Sequence, residues 1–382
     1  MICNKKDCVG CFACYNICPK NAISMIEDEH GFIYPKIDDS KCVNCGMCHK
    51  VCQANHQPQY NKIKKCYGGF VKDLFFANNC ASGGIASILA KKIIEDKGIV
   101  YGCSFEKGYK IHHIRITKEE EIFKLKGSKY VHSYVDNSYK LVKDDLRNDK
   151  TVLFIGTPCQ ISGLKYFLGN IKTGKLFLVD IICHGVPSQK YLKDEIGELA
   201  FEANYLNFRP DGKFIMLLKD DDKIICSKKD YESQYYTGFL DSVFYRENCY
   251  NCHYACNDRV SDITIGDFWG LPLDDELRNK KRNVSIILIN TSTGEELFDK
   301  IKNYLTYSER DISNSIKNNP QLNAPAIMKR EYFKFYNNYC KYGFVKAFNK
   351  TSYFRMKKKK LKSKLQNNRM VYSLYQKLKG GK

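Results

Sequence analysis

Residues 151–168 read TVLFIGTPCQISGLKYFL, a short apolar run that breaks at Gly156-Thr157-Pro158 and resumes in a helix-like pattern. Such a run reads as a buried strand leading into a cysteine-bearing turn. Residues 175–188, KLFLVDIICHGVPS, repeat the strand and the turn, and GIVYGCSF at 98–105 supplies another strand. The strand–loop–helix order implies an α/β body with its loops gathered at strand ends. Upstream, CASGGIASILAKKIIEDK at 80–97 sets Ser82-Gly83-Gly84 before an amphipathic helix. Ser82 is the expected N-cap, and the glycines allow a ligand to approach the N–H groups at the positive helix end. Neither this cluster nor Gly127-Ser128-Lys129 fits a named phosphate motif. Lys126 and Lys129 either neutralise a diphosphate or face water, so these residues alone leave the cofactor open.

Cysteine spacing is more specific. The first run is C-x2-C-x2-C-x3-C-P at Cys8, Cys11, Cys14, Cys18 and Pro19, and it recurs at Cys42, Cys45, Cys48 and Cys52. This is the bacterial two-cluster ferredoxin pattern, in which the fourth cysteine of each run serves the other cluster. Cys8, Cys11, Cys14 and Cys52 are therefore assigned to one 4Fe-4S cluster, and Cys42, Cys45, Cys48 and Cys18 to the second. Gly10 and Gly46 permit the sharp backbone that such loops need. Structural zinc is disfavoured, because its usual site takes four ligands and not a crossed set of eight. Gln53 stands where proline is usual after the second run and is expected to touch no ligand. Cys3 falls outside the spacing and reads as a bystander. A third set, CYNCHYAC at 249–256, holds only three cysteines, one short of a 4Fe-4S site.

Bulk properties bound the rest. The chain has 382 residues, 43% of them hydrophobic, enough for two or three domains with a real core. There is no run long and apolar enough for a membrane span and no apolar signal region, so a cytoplasmic chain with reduced, metal-holding thiols is expected. The formal charge of +20 is uneven: residues 350–382 carry 12 basic and no acidic side chains, which leaves +8 elsewhere. In that tail Leu361, Leu365, Val371, Leu374, Tyr375 and Leu378 recur at partly helical spacing. Such a helix suits anionic lipid or an acidic partner; a solvated, frayed terminus is the plainer reading. Nucleic-acid binding is not expected, since no recognition fold accompanies the charge.

Taken in order, SGG, GSKYVHS, GTPCQISGLK, ICHGVPS, NFRPDGK and C-x2-C followed by RVSDITIGDFWG resemble the coenzyme F-420 hydrogenase/dehydrogenase beta-subunit family. The resemblance runs from about Cys3 to about Val345. It implies an α+β ferredoxin-like two-cluster domain at 1–60, an α/β flavin- and 4Fe-4S-binding body at 61–345, and a basic helical tail at 346–382. It also implies FAD and a third 4Fe-4S cluster on Cys159, Cys183, Cys249 and Cys252, with Cys256 left as a spare thiol. The competing quartet joins Cys159 or Cys183 to Cys249, Cys252 and Cys256, and a zinc site using His253 is a further alternative. For FAD the resemblance points to Ser82, Gly83 and Gly84 near the diphosphate, and to Ser128, Lys129 and Tyr130 opposite them. Thr157 and Pro158 are placed near the flavin ring, and Asp267 is either a cofactor contact or a strand-end cap.

The function so implied is an iron–sulfur flavoprotein oxidoreductase. Electrons pass between a one-electron donor, such as ferredoxin or another redox protein, and a two-electron substrate. No catalytic residue is named: His112, His113, His132 and His184 are candidate proton donors, each with a structural role as the alternative. Two other readings stand beside it, a deazaflavin-reducing subunit of a larger complex and a non-catalytic electron-transfer or scaffold partner in surface-polysaccharide biosynthesis. A position at the inner face of the membrane is compatible with the basic tail.

Overall fold

A computed structural model describes residues 2–169, 171 and 175–367. Near the N-terminus β1 (Ile23–Glu27) and β2 (Ile33–Ile37) form an antiparallel hairpin that lies between the two cysteine runs. Next come β3 (Lys65–Val71), β4 (Ile99–Glu106), β5 (Lys110–Ile116), β6 (Val152–Gly156) and β7 (Leu176–Ile181). A small antiparallel sheet is made of β8 (Tyr205–Asn207), β9 (Ile215–Asp220) and β10 (Lys223–Lys229). The last three are β11 (Ile263–Asp267), β12 (Ser285–Ile289) and β13 (Leu305–Arg310). The main sheet has eight strands in the order β13-β3-β12-β11-β7-β6-β4-β5.

Only its middle is parallel: β4 pairs with β6, β6 with β7 and β7 with β11 in parallel, while the flanking pairs are antiparallel. Parallel strands are covered on both faces, and the alternation of side chains shows how. Val152 and Phe154 of β6 and Leu176 and Leu178 of β7 pack with Ile161, Leu164 and Phe167 of the helix Pro158–Leu168. Leu153, Phe177 and Val179 point the other way, onto Ile88, Leu89 and Ile93 of the helix Ile85–Glu95 and Leu297 and Phe298 of the helix Ser292–Asp299. Three layers result, as a two-residue side-chain period requires.

The cysteine-rich segment is packed into this body. Phe12, Ala13, Ile33 and Val51 share the core that covers the Pro158–Leu168 face, and Phe32 enters an aromatic cluster with Tyr191, Phe244, Phe335 and Phe344. Close approach depends on Gly163: a Cβ there would lie 2.9 Å from the Cys11 sulfur and 3.0 Å from the Tyr139 hydroxyl. The helix Arg330–Asn367 breaks at Gly343, whose φ is +73°. Its early side chains belong to the aromatic cluster, and Ala347, Phe348 and Ser352 are still buried. Beyond them the basic residues begin, with Phe354 and Leu361 exposed. Val371, Leu374, Tyr375 and Leu378 lie outside the described residues. No helix among the described residues is long and apolar enough to cross a membrane.

Candidate metal sites and cofactor cavity

Parallel strands deliver their C-terminal ends to one edge, where α/β folds gather ligands. β6 leads into Thr157 and the helix that carries Cys159, β7 leads into Cys183 and His184, and β11 ends at Asp267, just before Trp269. The turn Glu247–Asn251 and the loop after it bring Cys249 and Cys252 to the same place. Burial raises the Cys159 thiol well above its usual range, and Cys183, Cys252 and Cys249 add to the rise by their charge. Burial likewise raises Cys183 to about 12, with Cys252 contributing. Cys249 is raised by burial and then by Cys252 and Cys183. Four partly buried thiols that repel one another as thiolates gain from a shared cation, which suits an iron–sulfur cluster. Cys256 stands to one side, its thiol donating to the carbonyls of His253 at 3.4 Å and Asp258 at 3.3 Å.

Arg259 organises that loop. It is 2% exposed, donates to the carbonyls of Tyr254 at 2.9 Å and Cys256 at 3.0 Å, and pairs with buried Asp180 of β7 at 3.1 Å. The Asp180–Arg259 pair thus ties the strand that ends in Cys183 to the loop that carries Cys252.

The N-terminal thiols separate into an inner and an outer set. Cys8, Cys11, Cys14 and Cys52 act on one another: Cys14 is raised by burial and then by Cys11, Cys8 and Cys52. Burial raises Cys11 to about 11, opposed by hydrogen bonds from the Ala13 amide and the Gln53 side chain. Cys8 is lowered to about 6, by a hydrogen bond from Cys3 first and, against burial, by the Arg246 cation. Cys3, outside the spacing, lies near Cys52 and Cys8, and both push its thiol far above its usual range. Cys18, Cys42, Cys45 and Cys48 line a second, outer cavity of about 180 Å³, with Cys45 exposed. The backbone turns at both runs use Gly10 at φ +66° and Gly46 at φ +70°.

Arg246 joins the inner set to the body. It is 1% exposed, donates from Nε to the Cys8 carbonyl at 2.7 Å and from Nη2 to the Ile33 carbonyl at 2.9 Å, and lies over the Tyr34 ring. Its Nη1 has no hydrogen-bond partner. Its own carbonyl accepts from the Cys249 amide.

Next to the strand ends lies a cavity of about 280 Å³. Ser82, Gly84, Ser128, Lys129, Tyr130, Thr157 and Asp267 line it; Gly83 and Pro158 do not. Gly83 is packed against β3, and its amide donates to the Ser285 hydroxyl at 2.9 Å. Ser82 does not cap the following helix. Its hydroxyl donates to the Val284 carbonyl, and Gly84, at φ +84°, takes the cap position without a side-chain bond. The glycine serves here because L-residues avoid that backbone region. The N-terminus of the helix Ile85–Glu95 therefore opens on the cavity, an arrangement that favours an anion. Lys129 is lowered to about 8 by burial. The buried Asn319 also lines the cavity, and its Nδ2 has no partner. An orphaned buried donor costs free energy unless something accepts from it, so the lining fits a polar, anionic cofactor such as FAD.

NFRPDGK proves to be scaffold for this wall. Asn207 accepts from the Ser128 amide at 3.2 Å and donates to the Asn79 carbonyl at 3.1 Å. Arg209 pairs with Asp267 at 2.8 Å and lies over the Phe214 ring, so the Asp267 carboxylate is held by a cation and caps no turn. His113, His132 and His184 line the cavity and all are lowered by burial, His113 to about 4 and His132 to about 3. They are neutral near pH 7. His112 points elsewhere, between Glu106 at 2.9 Å and Asp136 at 3.2 Å, in a separate cleft of about 890 Å³ with mixed charge. The missed residues Asn319, Asn207, Arg209 and Arg246 gave no motif-level signal of contact, though two of them stand inside NFRPDGK.

Two family models match parts of the chain. Residues 149–314 match the family that describes the C terminus of the coenzyme F420 hydrogenase/dehydrogenase beta subunit. Residues 7–56 match the 4Fe-4S dicluster domain. The chain thus carries a dicluster match ahead of a match, over less than half of its length, to that hydrogenase/dehydrogenase description. This makes it an iron–sulfur protein of oxidoreductase-type electron transfer. No curated protein matches the chain. Among solved structures, a chain of the F420-reducing [NiFe] hydrogenase complex from Methanosarcina barkeri, studied by xenon derivatization, is 18% identical. The match covers 69% of this chain and 87% of that one, with a TM-score of 0.48.

Proposed function

We propose that the chain is an iron–sulfur flavoprotein that moves electrons between a one-electron donor, such as ferredoxin, and a two-electron substrate. The observation that carries this reading is the meeting of four partly buried thiols, Cys159, Cys183, Cys249 and Cys252, beside the cavity lined by Ser82, Gly84, Ser128, Lys129, Tyr130, Thr157 and Asp267. Those thiols would hold a third 4Fe-4S cluster, and the cavity would hold FAD. When bound, the flavin supplies the exchange between single electrons and a hydride. The chain's own contribution is positional. The Ile85 helix end and Lys129 attract a diphosphate, Asn207 fixes the loop Gly127–Ser128, and Arg209 holds the Asp267 side chain in place. Burial holds His113, His132 and His184 neutral, so each can donate one ring N–H and accept one hydrogen bond at the cavity wall without carrying charge.

The exposure of the thiols supports an entry point: Cys45 of the outer set is exposed, whereas Cys11 and Cys14 of the inner set are buried and the third set is partly buried. A redox protein would dock at the exposed Cys42–Cys48 loop. Anaerobically purified protein is expected to contain about twelve irons and to bind FAD. Zinc in place of iron, or failure to bind added FAD, refutes the reading. A deazaflavin as the two-electron partner is the second reading, supported by the family description of residues 149–314. Oxidation of the dithionite-reduced protein by a deazaflavin, followed in the flavin spectrum, tests it. The basic end of the last helix, with Phe354 and Leu361 exposed beside Lys357–Lys360, supports contact with an anionic surface. Sedimentation with anionic but not neutral vesicles checks that.

A further inference from the structure

Gln53 is 5% exposed and lies between two cysteine sets. Its Nε2 donates to the Cys159 carbonyl at 2.6 Å, and its Oε1 accepts from the hydroxyl of Tyr254. The Cys11 thiol lies near the same side chain, which acts to lower it. Each partner belongs to a different piece of the metal-binding framework. Cys159 begins the helix Pro158–Leu168, Tyr254 follows Cys252 by two residues, and Cys11 is in the inner N-terminal set. Gln53 is itself bonded through the backbone to Cys52. A second contact seals the same junction, since the Cys11 sulfur rests against Gly163, one turn along the helix from Cys159.

A buried amide is costly unless its hydrogen bonds are made. An apolar residue would fill the space more cheaply, and proline, usual after this cysteine, has no side-chain donor. The amide is spent on the Cys159 carbonyl and on Tyr254, two residues beyond Cys252. We propose that Gln53 is the hydrogen-bonded joint between the metal site of Cys8, Cys11, Cys14 and Cys52 and that of Cys159, Cys183, Cys249 and Cys252. The proposal rests on the reading of both sites as 4Fe-4S clusters. The route runs from Cys52 through the Gln53 side chain and its Nε2–H···O bond into Cys159. One electron leaves one site and enters the other; no covalent bond changes and no proton is transferred at Gln53. The joint also fixes the spacing of the two sites, because it holds both loops against one side chain.

The test uses the full chain, purified anaerobically, with Gln53→Leu and Tyr254→Phe variants. Iron is counted first. A parent protein with about eight irons has no third cluster and removes the joint together with the metal reading, whereas about twelve keeps that reading in place. The readouts are the magnetic interaction between the two reduced sites by electron paramagnetic resonance, and the rate of electron redistribution after flash reduction. Gln53→Leu is expected to keep its iron, to weaken the interaction, and to slow redistribution by about tenfold, the lower end of the cost of losing an outer partner of a metal ligand. Tyr254→Phe should shift both in the same direction by less. An unchanged interaction and rate in Gln53→Leu overturn the proposal. If that variant loses iron, Tyr254→Phe decides: it removes one hydroxyl and keeps the ring, so an unchanged interaction there overturns the proposal and a weakened one supports it.

Discussion

Replacing Arg259 with methionine should be among the most damaging single changes outside the cysteines. The guanidinium is buried, donates to two carbonyls of the Cys252–Cys256 loop and to Thr264, and faces Asp180, which is fully buried. Methionine leaves the aspartate without its cation, and breaking a buried pair from one side costs about 3–5 kcal/mol. Burial already raises the Asp180 carboxyl, with Arg259 as the main opposing charge. In the variant the Asp180 carboxyl is pushed further toward its protonated form, which moderates the cost toward the lower figure. At about 2–4 °C per kcal/mol for a cooperative unit of roughly 150–250 residues, 3 kcal/mol is a fall of at least about 6 °C in Tm. Anaerobic calorimetry measures it. Arg259→Met with Asp180→Asn removes both charges and should recover much of the loss, because the penalty lies in the unpaired group. A fall of less than about 2 °C in the single variant, or a double variant no better than the sum of the two singles, would refute the reasoning.

Three further outcomes follow from the sites. Cys183→Ala is expected to lose about four of about twelve irons while Cys256→Ala keeps them all; iron loss from Cys256→Ala instead would favour the local quartet. Lys129, lowered to about 8 by burial, is cationic below that pH and neutral above it, so FAD affinity should fall as pH rises through 8. Lys129→Met should bind FAD more weakly at pH 7, by about 1.5–3 kcal/mol, and lose that pH dependence; a parent titration flat across this range counts against it. Arg246→Gln removes a buried cation beside Cys8 and should lower the midpoint potential of the inner N-terminal cluster, as read by a resonance-monitored redox titration. An unchanged or higher potential would show that the Nη1 side of Arg246 does not face that cluster.

The local record of the chain was enough for several of these features. Cysteine spacing alone marked the crossed N-terminal sets, because ligands of a compact cluster must follow one another at fixed intervals, and the dicluster match covers that segment. Apolar runs broken by glycine and proline marked β6, β7 and the helix Pro158–Leu168, because such patterns reflect burial on both faces of a parallel strand. Contacts between distant segments were another matter. Ser82 has an N-cap's composition, yet its hydroxyl goes to Val284, 202 residues away. Gln53 read as a harmless substitution and became a bridge to Cys159, 106 residues on. Cys3 lay outside the spacing and packed among the spaced thiols. Arg246 and Asn319 carry no motif, and their meaning comes from burial and an unsatisfied donor. Spacing along the chain reports chemistry confined to one loop. Which loops meet, and which buried polar atom answers which, is set by the packing of the whole sheet and is written in no single stretch.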